Sequence, residues 1–105
     1  MNSVSIIGKI PNPPKFGGDR LGRKTARFTL ATIETRWDKD GNPKKWQNSH
    51  SVVAWGHAFQ KVKNLVSAGS TVAIEGRLMN RFFAGSNGQK RMVSEIEAND
   101  VIVVD

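Results

Sequence analysis

Apolar and polar residues alternate along most of this chain, which is the pattern of β-strands that bury one face only. The alternation is clearest from Ser70 to Met92, a stretch typical of a long strand, a turn and a returning strand. One face of the long strand carries Val72, Ile74, Leu78 and Phe82, together with Gly76 and Asn80. We predict that this face packs in a core and that the opposite face, with Arg77, Arg81 and Phe83, meets solvent.

Three further segments alternate in the same way, and each is predicted to be a strand. They run from Ser3 to Ile10, from Lys24 to Thr35 and from His50 to Gly56. The returning strand is predicted from about Gln89 to Val104, with a break near residues 99–100. Gly76 interrupts the fourth strand, and a missing side chain there permits the sharp coiling that a small barrel needs.

The segments between these strands differ from them in composition and in period. Residues 11–22 hold three of the four prolines and are predicted to form a loop. Residues 36–48 are polar and are predicted to form a second loop that turns at Asp40-Gly41. Helical spacing appears only after the third strand, and it predicts one short helix that stops near Gly69. The apolar positions of this helix are Phe59, Val62, Leu65 and Val66.

The predicted order is three strands, a helix and two strands. This order predicts an all-β OB-fold, a five-stranded Greek-key β-barrel with one short helix between strands 3 and 4. A length of 105 residues suits one domain, so we expect residues 1–105 to form a single OB-fold domain. The OB-fold serves many functions, and the function has to be argued from the site.

Composition narrows the class of partner. Sixteen Lys and Arg residues against nine Asp and Glu residues give a net charge of +7, which favours a polyanionic partner. There is no cysteine, so disulfides and thiolate metal sites are excluded. No apolar run reaches the length of a membrane span and the N-terminus is unlike a signal peptide. We therefore expect a protein of the cytoplasm with no membrane partner.

Three motifs compete with a binding function. Gly17 to Thr25 nearly matches a phosphate-binding P-loop, but the lysine is displaced by one position and a strand follows where the motif needs a helix. Gly85 to Gly88 matches the GxxG phosphate clamp of KH domains, but a hairpin turn is the simpler explanation. His50 and His57 fall on opposite faces of a continued strand, so no metal is expected. No catalytic signature is present, and we predict neither enzymatic activity nor a cofactor.

Aromatic and basic residues are interleaved on the predicted exposed faces. Guanidinium groups can follow phosphates and flat rings can accept unpaired bases, which is what a single-stranded nucleic acid requires. The candidate nucleic-acid-binding residues are Trp55, Phe83, Arg77, Arg81, Trp37, Trp46, Arg27, Lys44 and Lys45. Packing is the alternative for some of them. Trp55 could plug one end of the barrel, Trp37 and Trp46 could form a small cluster that pins their loop, and the two lysines could be a solvated loop surface.

Five sequence pieces, in order and at compatible spacings, carry a family resemblance. They are VSIIGKI, FTLAT, HSVVAWG, the helix followed by GSTVAIEGRL, and the NGQKR turn. With them the chain resembles bacterial single-stranded DNA-binding proteins from Val4 to Val104. The ordered set carries this resemblance, since no single piece is a strong signature.

The resemblance implies a protein that binds single-stranded DNA with little sequence preference and protects it during replication, recombination and repair. It implies that Trp55 and Phe83 are stacking aromatics of the third and fourth strands, and that Trp37 or Arg36 lies near the family's first loop tryptophan. Members of the family assemble as tetramers. We therefore expect a homo-oligomer, with a tetramer favoured and a dimer as the alternative.

The chain also departs from the family pattern. Ser49 stands where the family usually has a tryptophan before the third-strand histidine, so stacking there is expected to be lost or to pass to Trp46. The family's flexible tail and acidic C-terminal peptide are missing from this sequence, so we expect either a tailless form of bacterial, phage, plasmid or mobile-element origin or a piece cut at the domain edge. Partners recruited through such a tail are not expected for the tailless form. A primosomal replication protein, which is similarly short and tailless, a protein-interaction adaptor and an RNA-binding cold-shock-like domain are the alternatives.

Overall fold

The computed structural model describes residues 1–105 as six strands and one helix. In chain order these are β1 (Val4–Lys9), β2 (Lys15–Gly18), β3 (Lys24–Trp37), β4 (Pro43–Trp55), α1 (His57–Leu65), β5 (Thr71–Ala84) and β6 (Lys90–Val103). They form one sheet in the order β1-β5-β6-β4-β3-β2, and β1 also pairs with β3 where Lys9 meets Ala31. This pairing turns five of the strands into a ring. The predicted OB-fold is confirmed, with one additional short strand.

The core lies inside this ring and forms one cluster of 15 buried residues. Alternate residues of each long strand supply it, so that Leu30, Val52 and Ile74 are all 1% exposed or less. Helix α1 covers one end of the ring with Ala58, Phe59 and Val62, which are also buried. With nine residues, α1 is too short to cross a membrane, and the chain has no other helix.

The end of α1 differs from the prediction. The helix ends at Leu65, and Val66 already has an extended backbone. Leu65 was placed among the apolar positions of the helix but is 59% exposed. Gly69 has φ 91° and does not stop the helix. Its N–H donates to the carbonyl of Ile10 at 2.7 Å, so it turns the chain into β5 beside the end of β1.

Strand β2 lies within the segment predicted to be a loop. It pairs only with Lys24 to Arg27 of β3, and all four of its residues are exposed. The prolines at positions 11, 13 and 14 precede Lys15, so none has to donate a hydrogen bond to the ladder. The loop prediction was correct for residues 11–14 and wrong for residues 15–18, which form an edge strand.

The predicted loop at residues 36–48 is mostly a hairpin. Strands β3 and β4 remain paired as far as Trp37 and Pro43, and only residues 38–42 form the turn. The Asp38 carboxylate accepts hydrogen bonds from the N–H groups of Asp40 and Asn42, at 2.9 and 2.8 Å. The turn at Asp40-Gly41 is therefore confirmed. The prediction failed because strand propensity depends on context, and a hairpin with both faces in water can be built from lysines and other polar residues.

Gly76 marks a bulge. Glu75 pairs with Asp100 and Gly76 pairs with Ala98, which leaves Asn99 as an extra residue of β6. A Cβ atom at Gly76 would lie 2.0 Å from the carbonyl oxygen of Glu97, so only glycine allows this approach. The predicted coiling at Gly76 agrees with the bulge. The irregularity predicted near residues 99–100 is this bulge, and β6 continues through it as one strand.

The burial predicted for Phe82 is also wrong. Phe82 was placed in the core with Ile74, but its side chain is 68% exposed, and Leu78 is 49% exposed. Strands β5 and β6 continue past the ring, and there Phe82 is paired with Met92, which is 60% exposed. No other element covers this end of the hairpin, so both of its faces meet solvent.

Candidate nucleic-acid interface

The register of four strands assembles one outward-facing surface, which we call the front face. Across the sheet, Arg27 of β3 lies beside Val53 of β4, Val53 beside Glu97 of β6, and Glu97 beside Arg77 of β5. Residues up to 70 positions apart in the sequence thus form one row. The front face consists of Thr25, Arg27, Thr29, Ser51, Val53, Trp55, Arg77, Met79, Arg81, Phe83, Glu95 and Glu97. Five of the nine predicted binding residues lie on it.

The arginines of the front face are paired with carboxylates. Glu95 lies between Arg81 and Arg27, with its carboxylate oxygens 2.6 Å and 3.5 Å from their respective Nε atoms. Its side chain is only 5% exposed, and a carboxylate so buried requires cationic partners. Glu97 makes a similar contact of 3.3 Å with Nε of Arg77. The sequence predicted that Arg77 and Arg81 lie on a solvent-facing surface, and the structure adds that Arg27, Arg77 and Arg81 each have an acidic neighbour.

Two aromatic rings of the front face are partly open to solvent. Trp55 is 38% exposed and Phe83 is 41% exposed. The guanidinium carbon of Arg23 lies 4.3 Å from the centroid of the Trp55 ring, and that of Arg81 lies 5.7 Å from the Phe83 ring. These are cation–π contacts, and each places a positive charge beside an accessible ring. Trp55 is therefore neither fully buried as a barrel plug nor fully free.

Arg23 itself is held by the loop between β2 and β3. Its Nε atom contacts the Asp19 carboxylate at 2.5 Å, and the N–H groups of Arg23 and Leu21 also donate to that carboxylate. Desolvation raises the pKa of Asp19, but the hydrogen bonds from Arg23 and Leu21 outweigh it, so the pKa lies below its ordinary value of 3.8. The charged form of Asp19 thus orients Arg23 over Trp55.

Arg20 and Arg23 were missed by the sequence analysis. Arg20 lines a cavity of about 400 Å³ together with Phe82, Phe83 and Lys90 at the end of the β5–β6 hairpin. Both arginines lie in a loop, where no alternation assigns a face to a residue. The sequence shows only that the two arginines lie between Gly18 and Lys24 in a basic, glycine-rich turn. It does not show which strand this turn approaches.

The ring leaves two hairpin ends projecting beyond it. We call residues 34–46 the β3–β4 arm and residues 79–94 the β5–β6 arm. On the β3–β4 arm, Trp37 and Lys45 share the parity of Arg27 and so continue the front face. Trp46 and Lys44 lie on the opposite face, where the guanidinium carbon of Arg36 is 5.2 Å from the Trp46 ring.

The two tryptophans of the β3–β4 arm do not form a common cluster. Trp37 is 69% exposed and Trp46 is 50% exposed, and the register places them on opposite faces of the hairpin. The packing alternative for these two residues is therefore wrong. Of the nine predicted binding residues, seven lie on the front face or its continuation, and two lie behind it.

A polar cavity of about 410 Å³ opens on the front face. Its lining includes Lys15, Arg27, Arg81, Glu95 and Ser51. Cations and hydroxyl groups of this kind can bind a phosphate, while the rings of Trp55 and Phe83 can stack on bases.

The structure does not support the other candidate sites, which are a metal site, a P-loop and a GxxG phosphate clamp. No group of three or more His, Asp or Glu residues is arranged to hold a metal ion. His50 instead contacts the Thr32 hydroxyl, with 3.1 Å between Nε2 and Oγ1. Thr25, the last residue of the P-loop-like segment, lies in β3 and not in a helix. Gly85 to Gly88 form the turn of the β5–β6 hairpin.

Comparison with known families and proteins gives the family of the chain and its relatives. The model of the single-strand binding protein family matches residues 1–104. The chain is 33% identical over 102 residues to single-stranded DNA-binding protein 1 of Chlorobaculum tepidum, and 32% identical over 101 residues to the single-stranded DNA-binding protein of Xylella fastidiosa. Each match covers 96% of this chain, but only 63% and 62% of the respective relative. The chain thus spans slightly less than two thirds of the length of these relatives.

Two solved structures share the fold. The Plasmodium falciparum SSB in complex with ssDNA superposes with a TM-score of 0.88 and 25% identity, covering 100% of this chain and 96% of that one. A deletion mutant of the single-stranded DNA binding protein from Thermus aquaticus gives a TM-score of 0.86 at 22% identity, covering 100% of this chain and 51% of the other. The second likeness concerns the fold alone.

Proposed function

This chain belongs to the single-strand binding protein family, and we propose that it binds single-stranded DNA with little sequence preference, without enzymatic activity. Acting as one DNA-binding domain in the cytoplasm, it would protect exposed strands during replication, recombination and repair. One observation carries the proposal. Four strands place two partly exposed rings, Trp55 and Phe83, on the same face as Arg27, Arg77 and Arg81.

Each type of residue has a separate role in this proposal. The rings of Trp55 and Phe83 accept bases by stacking, which is tolerant of sequence because every base has a flat face. The arginines contact phosphates between the stacked bases. Trp37 and Lys45 extend the path along the β3–β4 arm. Trp46 and Lys44 contact the DNA only if the DNA strand passes around the edge of that arm.

Titration with oligo-dT tests this function. Binding should quench tryptophan fluorescence, and affinity should fall with salt with a logarithmic slope of about −0.7 per neutralised phosphate. Substitution of Phe83 by alanine should cost about 1–3 kcal/mol of binding free energy, since one stacking surface is lost. The melting temperature should not change, because the ring is outside the core cluster.

The matched control is Phe82→Ala, which removes the same ring from the other face of the same strand. It should weaken binding less than Phe83→Ala does. Equal losses would contradict the front face as the DNA path. A quench that does not depend on salt would favour a protein-binding adaptor, and tighter binding of oligo-rU would favour the RNA-binding alternative.

We also propose that the protein is a homo-oligomer, with a tetramer favoured over a dimer. The observation that supports this lies at β1, where Ile7 is 63% exposed and lies in register with Ala73 and Ile102, the latter 51% exposed. From Val4 to Gly8, β1 has a strand partner on one side only. An open strand edge beside exposed apolar residues fits a second copy of the chain.

Sedimentation velocity would measure this assembly. The wild type should sediment as an oligomer, and Ile7→Lys should shift it towards the monomer because transferring a lysine from water into an apolar contact is unfavourable. Leu65→Lys, at another exposed apolar position, is the control and should leave the assembly unchanged. A wild-type chain that stays monomeric at the concentrations used for DNA binding would contradict the proposal.

A further inference from the structure

Four arginines on or beside the front face are each paired with an acid through Nε. The pairs are Arg23–Asp19 at 2.5 Å, Arg27–Glu95 at 3.5 Å, Arg77–Glu97 at 3.3 Å and Arg81–Glu95 at 2.6 Å. Four cations thus share three carboxylates, which leaves one uncompensated positive charge among them. One net positive charge is a small excess for a surface that binds a polyanion. The whole chain, in contrast, carries a net charge of +7.

Glu95 differs from the other two acids because it serves two arginines. Its carboxylate joins Arg27 of β3 to Arg81 of β5 in the lining of the 410 Å³ cavity. The carboxylate is 5% exposed, while the arginine side chains are 39% and 44% exposed. Since the contacts are made through Nε, the terminal nitrogens of both guanidinium groups stay available to a phosphate.

A phosphate bound by these terminal nitrogens would lie close to the charge of Glu95. The carboxylate holds the two guanidinium groups in place, and it also repels any anion that they bind. The repulsion outweighs the orienting effect here. Exposed arginines can reach a phosphate without being held in a fixed orientation, whereas the charge of Glu95 is always present in the cavity.

We propose that Glu95 is a positioning residue that fixes Arg27 and Arg81 in the cavity and limits how tightly they hold a DNA phosphate. This inference rests on the proposed function. It implies that stacking and the unpaired cations of the arms supply most of the affinity, and that the centre of the front face releases phosphates readily. A strand bound in this way can be displaced in steps.

Glu95→Gln tests the inference, because it keeps the shape of the side chain and removes its charge. Binding of oligo-dT should become tighter, and the logarithmic salt slope should become steeper by about 0.7 to 1.4, for one or two arginines released to neutralise phosphates. Between about 50 and 200 mM salt, the gain in affinity should therefore shrink by about threefold to sevenfold.

The matched control is Glu75→Gln, which makes the same change in net charge on the same sheet. Glu75 is exposed on β5 and makes no ion pair. This variant should leave the salt slope at the wild-type value. An effect of Glu95→Gln no larger than that of Glu75→Gln, or weaker binding by Glu95→Gln, would overturn the inference.

Two further variants separate binding from folding. In an Arg27→Gln, Arg81→Gln background, Glu95→Gln should give no increase in slope, a readout that a purely structural role of Glu95 would not produce. If Glu95→Gln melts below the assay temperature, Glu97→Gln is the substitute, because it releases Arg77 in the same way. Its salt slope should become steeper by about 0.7, and an unchanged slope would overturn the inference. A wild-type protein that does not bind oligo-dT at low salt would refute the proposed function instead.

Discussion

The two halves of the β5–β6 hairpin show what a sheet needs in order to bury one face. Within the ring, Ile74 is 1% exposed, and eight residues further along the same face of the same strand, Phe82 is 68% exposed. Both are large and apolar, and both have the same parity. The difference is that the ring closes over Ile74, whereas the arm has no second layer. Alternation thus tells which residues share a face, and closure of the sheet decides whether that face is buried.

The same comparison separates two kinds of cation. On the front face, Arg27, Arg77 and Arg81 are paired with carboxylates of β6. On the β3–β4 arm, Lys44 and Lys45 make no ion pair, and both are exposed. Unpaired, exposed lysines release their counterions when phosphate binds, so we expect the arms to contribute more to the salt dependence of binding than the centre of the face does.

The largest expected effect separates ring from arm by stability. Ile74→Ala should lower the free energy of unfolding by about 2–5 kcal/mol, because it leaves a cavity in a packed core. Phe82→Ala should change it by no more than about 0.5 kcal/mol, because the ring of Phe82 is in solvent. Urea denaturation of both variants measures the difference. Comparable losses would mean that the β5–β6 arm is covered by another part of the protein or by a second copy.

A smaller effect separates the two faces of the β3–β4 arm. Lys45→Gln should reduce the salt slope of oligo-dT binding by about 0.7, because Lys45 continues the front face. Lys44→Gln should reduce it less, because Lys44 lies behind. Affinities measured over a series of salt concentrations give both slopes. Equal reductions would show that the strand wraps around the arm and contacts both of its faces.

The smallest effect concerns an ion pair that ties the helix to the ring. Hydrogen bonding from Lys61 at 2.6 Å, against a smaller opposing effect of desolvation, lowers the pKa of Asp100 below 3.8. A lowered pKa stabilises the fold above the unfolded value, and this contribution is lost as pH falls through the folded value. The stability difference between wild type and Asp100→Asn should therefore be constant near neutral pH, begin to shrink once the pH falls below 3.8, and be lost only below the lowered pKa of folded Asp100. Thermal melts across this range would show it, and a difference that persists in acid would contradict it.

Much of the molecule follows from local pattern. The order of strands and helix, the core residues Val52 and Ile74, the bulge at Gly76 and the outward direction of Trp55 and Phe83 were all predictable. They were predictable because side-chain direction alternates along a strand, and because only glycine allows a close backbone approach.

Tertiary structure decided which side chains meet across the sheet. Which residues become neighbours across strands depends on register, and register is set by turns and by closure of the whole sheet. That is why Trp46 lies behind Trp37, why Arg23 from a loop covers Trp55, and why Glu95 joins two arginines 54 positions apart. Each of these contacts joins segments whose local patterns carry no information about one another.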